Sequence, residues 1–359
     1  MADGLRLTAY RPVRISEGRI DVRGICKWGT MTKRRTIVAL VLLAALLGIG
    51  CGGRTNLRIT LRLTDTAYSA SRLRSDSARV QTRLDWLYEE PGFRPPSQRA
   101  KVEVGDNRLV VTVEDTSGAA RIEHLASARG MITFNLIADD STEGAALDSV
   151  ESWLRSHPAP TGPVSLDKFI FCRNQQCRVL ERDYPSARSI LNTVDTAVYA
   201  VWQPAFGMPD SGKIDTSRIL YFVERQPEMT NARGWLIEHA DAHRPRGARP
   251  SRPLPKDAEP FKAPFFVSIR LSSDTFSGTN PVRKLAEISA ANVGRRLAMV
   301  MDSVVLSAPA IQDEIPDGMF GVATDDTIGA YSRDLTTILL NGPLHGRLVV
   351  ERVERVSGE

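Results

Sequence analysis

Apolar residues recur with two clear periods over residues 57–136, and this pattern most constrains the fold. A period of two, typical of a strand with one buried face, covers residues 57–63, 102–104, 109–113 and 132–136. Three- and four-residue spacings predict amphipathic helices at residues 70–87 and 117–129, and we expect the second helix to end at Gly130. The predicted order, β-α-β-β-α-β, is the split ferredoxin-like arrangement.

The same order of elements recurs towards the C-terminus. Strand patterns cover residues 265–271, 296–301, 304–311 and 348–353. Helix patterns cover residues 281–292 and 324–340; Asp325 or Asp326 is expected to cap the second helix, which Asn341-Gly342-Pro343 should end. The predicted fold class is therefore α+β, with two split β-α-β-β-α-β units.

The patterns are weaker between the two units. Residues 155–164 contain three prolines and a glycine, and residues 244–264 contain six prolines, so both stretches are predicted to be linkers or exposed loops. Strands are expected at residues 198–202 and 219–223. We therefore expect a first unit at 54–140, an irregular, Pro-rich insertion at 141–262, and a second unit with a closing strand at 263–356.

A basic segment and a short apolar run precede the first unit. Lys33-Arg34-Arg35 is followed by 15 apolar residues, fewer than the roughly 20 that cross a bilayer as a helix. Residues 31–50 therefore predict a secretory signal peptide that begins at Met31, with residues 1–30 as an upstream extension. A single-span anchor with a short cytoplasmic arm is the alternative. Both interpretations place most of the chain outside the cytoplasmic membrane.

The end of the apolar run, Leu47-Gly48-Ile49-Gly50-Cys51, resembles a bacterial lipoprotein signal. The resemblance implies that Cys51 is lipidated and anchors the protein to a membrane, facing the periplasm or the outside. The sequence departs from that signal at Gly48, where a leucine is usual.

The charge of the chain is unevenly distributed. Of 47 basic and 42 acidic side chains, nine basic and three acidic ones precede Cys51, which leaves a formal charge of −1 for the remainder. The basic excess thus belongs to the leader, and no nucleic-acid partner is expected.

Two cysteines lie within the insertion. Cys172 and Cys177 flank four polar residues between two apolar runs, and a hairpin would place their side chains opposite each other. A structural disulfide is expected, in agreement with export. Zinc is the rival interpretation, but it requires about four ligands and no second pair is present.

Two segments carry a family signature. Gly105-Asp106-Asn107-Arg108 precedes a strand, and a longer run covers residues 292–311. Together they resemble the first periplasmic domain of SecD, the protein-export subunit, over residues 57–356, with a poor match at 139–260. The resemblance makes residues 54–140 the base and 263–356 the head of that domain. The signature positions of the second run are Asn292, Gly294, Arg296, Leu297, Ala298, Asp302, Ser307, Ala308 and Pro309.

The signature residues are predicted to be structural rather than chemical. Asn292 and Gly294 suit a helix end in the left-handed conformation. Asp302 opens a tight turn, in which Ser303 replaces the usual glycine and makes a two-residue type I′ turn less favourable. Pro309 is expected to end strand pairing at an edge.

The resemblance implies a surface that holds unfolded exported polypeptides, through a strand edge or an apolar groove. The family's membrane-helix bundle has no counterpart before Glu359, so we do not expect proton-powered translocation. The predicted function is a non-enzymatic, lipid-anchored envelope protein that assists exported polypeptides or accompanies translocation components. The alternative is a divergent copy of the fold that acts as a structural or interaction module; apolar patches favour the first, and a flat charged surface favours the second.

Three other patterns in the sequence do not predict a binding site. Residues 207–214 match the phosphate-loop spacing but end in Ile214, so no nucleotide is expected. His239 and His243 are four apart on a predicted helix but lack a third ligand, so neither a metal nor another cofactor is expected. The arginines of residues 244–252 are interleaved with prolines and predict a flexible loop.

Overall fold

The fold is described by a computed structural model. The described residues are 55–64, 69–89, 100–114, 118–157, 170–173, 176–194, 196–205, 217–233, 237–245, 264–275, 278–324, 326 and 329–357. The predicted signal peptide, Cys51, the phosphate-loop-like segment and most of the Pro-rich stretch lie outside them.

The helices within these ranges are α1 (Ala70–Glu89), α2 (Ala119–Ser127), α3 (Asp140–Ser156), α4 (Tyr184–Thr193), α5 (Pro281–Ala291) and α6 (Ala330–Asn341). The strands are β1 (Thr55–Leu63), β2 (Lys101–Gly105), β3 (Arg108–Glu114), β4 (Ile132–Leu136), β5 (Ile170–Arg173), β6 (Gln176–Leu180), β7 (Val198–Ala205), β8 (Ser217–Glu224), β9 (Met229–Thr230), β10 (Ile237–His243), β11 (Phe266–Leu271), β12 (Leu297–Met301), β13 (Val304–Ser307), β14 (Met319–Ala323) and β15 (Leu348–Ser357). The α+β class is confirmed.

An antiparallel four-stranded sheet contains the strands of the first predicted unit. Its order is β15-β1-β3-β2, which is ferredoxin-like except that the closing strand is β15. The predicted closing strand, β4, pairs instead with β12 in another sheet. Alternation fixes which face of a strand is buried but not its partner, so the sequence pattern could not distinguish these two closing strands.

Helices α1 and α2 pack on one face of this sheet, and α6 packs against α1 and β10; together they form the main core. The alternating residues of β1 point into that core, and Ile59 and Leu61 are completely buried. The intervening residues of β1 lie on the opposite face, where Arg58 and Arg62 are exposed and Asn56 and Thr60 are half-buried. This sheet therefore has one apolar face and one open, polar face.

The second sheet has eight strands in the order β5-β6-β8-β7-β13-β12-β4-β9. Beyond the paired strands, an antiparallel bridge joins Ile137 to Val223, and the N–H of Ala138 donates to the carbonyl of Phe222 at 2.9 Å. Through these contacts, the residues just after β4 hydrogen-bond to β8. The five strands β8, β7, β13, β12 and β4 thereby close into a ring.

Small and medium apolar side chains fill the interior of this ring. Val201, Val223 and Ala298 are completely buried there, together with Val300 and Val305. On the outer face of the sheet, α3 and α4 pack over β5, β6, β8 and β7. Because β12 is buried at all five residues, it requires a covered surface on both faces and a partner on both edges.

The three-stranded sheet, β10-β11-β14, is antiparallel and packs one face on the main core. His239 and His243 belong to β10, so the predicted helix that carried them was wrong. Both side chains are exposed on the strand, because it is Ile237 and Ala240 that point into the core. The tertiary contacts of those two residues override a helical spacing.

The strands of the second predicted unit are thus distributed over three sheets: β11 and β14 in one, β12 and β13 in the ring, and β15 beside β1. The expected second ferredoxin-like sheet does not form. Residues 141–245 supply β5 to β10, with α3 and α4 covering the ring sheet, so this part of the expected irregular insertion contains regular elements.

A buried arginine links the three helices of the main core. Arg83 of α1 has no exposed surface, and its guanidinium donates to the carbonyls of Leu125, Ala128 and Gly342 at 2.5–3.3 Å. These carbonyls lie in the last turn of α2, just after it, and just after α6, where helices leave acceptors unpaired. Burial lowers the pKa of Arg83 to about 10, opposed by Asp302, and the group remains charged at neutral pH.

We expect Arg83→Met to lower the free energy of unfolding by about 3 kcal/mol, because it leaves buried carbonyls without donors. Arg74→Met is the matched control, since Arg74 lies on the same helix and is exposed. The control should change stability by less than about 0.5 kcal/mol in the same urea titration. Equal effects of the two substitutions would contradict the role given to Arg83.

Candidate functional site

The longer signature segment forms the β12–β13 hairpin of the ring. Met301 pairs with Val304, so Asp302 and Ser303 form a two-residue turn. Their φ angles are 51° and 71°, the left-handed pair that a type I′ turn requires. Ser303 therefore adopts the conformation usual for glycine at this position.

The Asp302 carboxylate connects this turn to the segment after α2. It accepts hydrogen bonds from the N–H groups of Gly130 and Met131 at 2.9 and 3.0 Å. The N–H of Asp302 donates to the carbonyl of Met131 at 3.0 Å. Gly130 has a φ of 74°, and a Cβ there would lie 2.8 Å from the side chain of Ile338. The signature aspartate thus fixes how the hairpin meets the main core.

The helix end before the hairpin differs in one detail from expectation. Gly294 is left-handed, with a φ of 87°, but Asn292 has a φ of −128°. Asn292 instead caps α5 with its side chain, whose amide donates to the carbonyl of Ile288 at 2.9 Å. The N–H of Gly294 donates to Ile311, which ties the helix end to the segment after β13.

The remaining residues of this signature hold the ring together. Arg296 donates from Nε to the carbonyl of Ala308 at 3.0 Å, and its guanidinium lies 5.1 Å from the ring centre of Tyr221. The N–H of Leu297 donates to the carbonyl of Pro309. Ser307 ends β13 opposite Met299, and Ala298 points into the ring.

The shorter signature forms the β2–β3 turn of the four-stranded sheet. Gly105 pairs with Arg108 across Asp106 and Asn107, and Asn107 has a φ of 53°. Arg108 forms a two-point ion pair with Glu351 of β15, with N–O distances of 2.8 and 3.0 Å. The two signatures belong to different sheets and form no shared site.

The cysteines of the insertion lie opposite each other in the β5–β6 hairpin, and a disulfide joins Cys172 to Cys177. Across the ranges that the structure describes, no three or more His, Cys, Asp or Glu side chains cluster as a metal site would require.

The open face of the four-stranded sheet is of mixed charge and contains a depression lined by Arg58, Arg108, Glu351 and Arg352. Ion pairs form within β2 between Lys101 and Glu103, within β15 between Arg352 and Glu354, and across the sheet between Arg108 and Glu351. The Lys101 ammonium is the main cause that lowers the pKa of Glu103. This face offers charge complementarity rather than an apolar groove.

Strands β2 and β14 each lie at the edge of a sheet and differ in how well that edge is covered. On β2, Gln81 accepts from the N–H of Val102 at 3.2 Å and donates to the carbonyl of Ala100 at 2.9 Å. The side chain of Gln81 therefore occupies the positions that another strand would take. Within β2, Val102 and Val104 direct their N–H and C=O groups away from β3. Of these two residues, only Val104 lies beyond the reach of Gln81.

Among the residues that the structure describes, none covers the free edge of strand β14. Phe265 and Leu271 bond with Thr324 and Gly318, so in the alternating antiparallel pattern Gly321 and Ala323 direct their N–H and C=O groups away from β11. Among the described residues, none hydrogen-bonds to these outward groups. Met319, at the start of β14, is 44% exposed. Sequence reasoning missed this strand, because it placed no element between residues 311 and 324.

Comparison with known proteins identifies the region that contains this edge. Residues 262–345 match the family model described as SecDF, P1 head subdomain. The chain contains a SecD-like periplasmic domain. Strands β11 to β14 all lie within the matched segment, whereas β2 does not.

Two curated relatives are both named protein translocase subunit SecD. The protein of Rhodothermus marinus is 24% identical over 259 residues, which cover 67% of this chain and 40% of the relative. That of Desulfurispirillum indicum is 37% identical over 84 residues, or 23% of this chain and 15% of the relative. The chain therefore matches less than half the length of either relative.

Two solved SecDF structures are also similar. One, described as a membrane component that enhances protein export, is 16% identical, with a TM-score of 0.45 over 83% of this chain and 100% of that chain. The other, a super-membrane-facing form, is 18% identical, with a TM-score of 0.48 over 90% of this chain and 35% of that chain. Within the described residues of the SecD-like chain, no helix is long and apolar enough to span a membrane.

The Asp302 contacts give a stability prediction for the SecD-like domain. Asp302→Gly retains a residue that tolerates a positive φ but removes the carboxylate, so we expect a loss of about 2 kcal/mol in the free energy of unfolding. Asp106→Gly is the matched control, because Asp106 also begins a hairpin turn and is exposed. Urea unfolding measures both, and a control loss as large as that of Asp302→Gly would refute the assignment.

Proposed function

We propose that this chain is a lipid-anchored, non-enzymatic envelope protein whose SecD-like periplasmic domain binds or assists exported polypeptides during protein translocation. The match of residues 262–345 to the P1 head subdomain supports this role, and both curated relatives are translocase subunits by name. The single observation that carries the proposal is the uncovered edge of β14 within that subdomain.

An extended polypeptide fits this edge by strand addition. Gly321 and Ala323 each offer one N–H and one C=O, so an incoming strand gains up to four main-chain hydrogen bonds without regard to its sequence. Met319 and the partly exposed Phe266 lie on the outer face of the same sheet and offer apolar contact. Sequence-independent backbone pairing suits a protein that handles many different exported chains.

The width of the edge limits the affinity. At about 0.5–1.5 kcal/mol for each net hydrogen bond, four bonds supply a few kcal/mol before the cost of ordering the peptide. We therefore expect weak, rapidly reversible binding, as passage of a moving chain requires.

A proline pair tests the edge directly. Ala323→Pro removes one outward N–H and leaves the bonds between β14 and β11 in place, so we expect about a three- to tenfold higher Kd for an unfolded reporter peptide. Val104→Pro is the matched control, because it removes an outward N–H from the edge of β2, outside the head. Fluorescence anisotropy measures both Kd values, and circular dichroism verifies folding.

Two results count against strand addition at β14. One is an unchanged Kd for the folded Ala323→Pro protein. The other is an equal increase for both proline variants, which points to a general effect on the sheets rather than to the head edge.

A second candidate is a structural or interaction module in an envelope assembly. The open face of the four-stranded sheet favours it, since three ion pairs on this exposed surface suit a partner of complementary charge. Reversal of Arg108 to Glu, which leaves Glu351 facing a like charge, separates the candidates. It should weaken a charge-mediated complex isolated from envelopes but leave peptide binding at β14 unchanged.

The lipid anchor is tested at Cys51, which lies outside the described residues. We expect radiolabelled palmitate to enter the wild-type protein and not Cys51→Ser, and the variant to leave the membrane fraction. Cys172→Ser is the control and should keep both the label and the membrane association. Persistent membrane association of unlabelled Cys51→Ser would instead support a single-span anchor.

A further inference from the structure

The two sulfurs of the Cys172–Cys177 disulfide differ in access. Both side chains lie on the same face of the β5–β6 hairpin, directly opposite each other. Cys172 is exposed on the terminal strand β5, whereas Cys177 is 3% exposed and packs among the apolar residues beneath α3 and α4. An attacking group therefore reaches one sulfur and not the other.

The crosslink adds little that the hairpin does not already provide. Ile170 pairs with Val179 and Arg173 with Gln176, so backbone bonds hold the two strands in register around the cysteines. The cysteines are five residues apart, and loops this short gain the least from closure, about 2 kcal/mol. Structural stabilisation alone is a weak reason for a bond at this position.

A carboxyl group lies beside the buried sulfur. Oε1 of Glu143, in the first turn of α3, is 3.7 Å from Sγ of Cys177. Burial raises the pKa of Glu143, and the nearby Asp140 raises it further, whereas Arg296 acts in the opposite direction. The carboxyl group thus lies within reach of the sulfur that would need a proton on leaving.

We propose that Cys172 and Cys177 form a thiol–disulfide exchange centre for a dithiol partner, in which Cys172 is attacked and Glu143 exchanges a proton with Cys177. The pairing of an exposed sulfur with a buried sulfur, and of the buried sulfur with a carboxyl group, carries this assignment. The exchange does not require that the head bind exported chains.

The reaction proceeds in two balanced steps. A thiolate of the partner attacks Sγ of Cys172; a mixed disulfide forms, the Cys172–Cys177 bond breaks, and Cys177 leaves as a thiolate that takes the proton of Glu143. The second thiolate of the partner then attacks its own sulfur in the mixed disulfide and releases Cys172 as a thiolate, which is protonated by water. The partner dithiol is oxidised and the cysteine pair is reduced; the reverse sequence oxidises a dithiol in this chain.

Dithiothreitol serves as the probe dithiol with the full-length protein. We expect it to reduce Cys172–Cys177 while the protein stays folded, with Glu143→Gln lowering the rate constant by about tenfold or more. Glu151→Gln is the control and should leave the rate unchanged, because Glu151 lies on the same helix but is partly exposed and pairs with Arg155. Alkylation followed by peptide mass spectrometry reports each cysteine separately, and circular dichroism reports folding.

Single-cysteine variants of the pair test the order of attack. Cys177→Ser should form a mixed disulfide at Cys172 with an aromatic disulfide reagent at least about tenfold faster than Cys172→Ser does at Cys177. Equal rates, or reduction of the wild-type bond only on unfolding, would overturn the proposal and leave a structural crosslink. If a serine variant fails to fold, the comparison of Glu143→Gln with Glu151→Gln on the wild-type disulfide still decides, since equal rates there exclude the proton role.

Discussion

The buried guanidinium of Arg83 is the interaction on which the rest of the SecD-like domain depends. It leaves water completely, and its two terminal nitrogens donate to main-chain carbonyls, whereas its buried Nε has no hydrogen-bond partner among the described residues. Its acceptors are carbonyls at the ends of α2 and α6, so the position of α1 fixes where both helices stop. Asp76, seven residues earlier on α1, is also buried and accepts from the N–H groups of His345 and Gly346. Helix α1 thereby guides the chain from α6 into β15, the closing strand of the four-stranded sheet.

The ring and the head share elements but differ in what they expose. Strand β12 contributes Leu297, Met299 and Met301 to the main core and Ala298 and Val300 to the ring interior, so one strand joins both cores. Strand β14 lies at the edge of the neighbouring sheet, where outward backbone groups meet no described partner. The core is well packed, whereas the edge of β14 has backbone groups without hydrogen bonds to described residues. This combination is a physical basis for transient strand addition, because a peptide can pair with β14 while the core remains unchanged.

Several elements were predictable because their signals are local. The period of two in β1 and β3 and the helical spacing of α1 required no tertiary information, and β7 and β8 also lie where apolar runs predicted them. Helix α3 was missed although Asp139 caps it by accepting from the N–H of Thr142, a start signal that the sequence shows. Helix α4 was missed despite a proline in its first turn, where helices accept one. The candidate site was predicted less well: the signature residues indicated a turn, whereas neither the edge of β14 nor the carboxyl beside Cys177 left any local pattern.

The sequence by itself determined the α+β class, the buried face of most strands, the family resemblance and the hairpin that places Cys172 opposite Cys177. These depend on residues close to one another in the chain, where periodicity and turn chemistry act. Only the tertiary structure decided that β15 rather than β4 completes the first sheet, that β4 returns to β8 to close a ring, and that His239 and His243 lie on a strand. The reason is that strand pairing is made by backbone groups, which every residue except proline carries alike. Alternation of apolar residues predicts which side chains are buried, but the packing of the whole domain determines which strand becomes the partner.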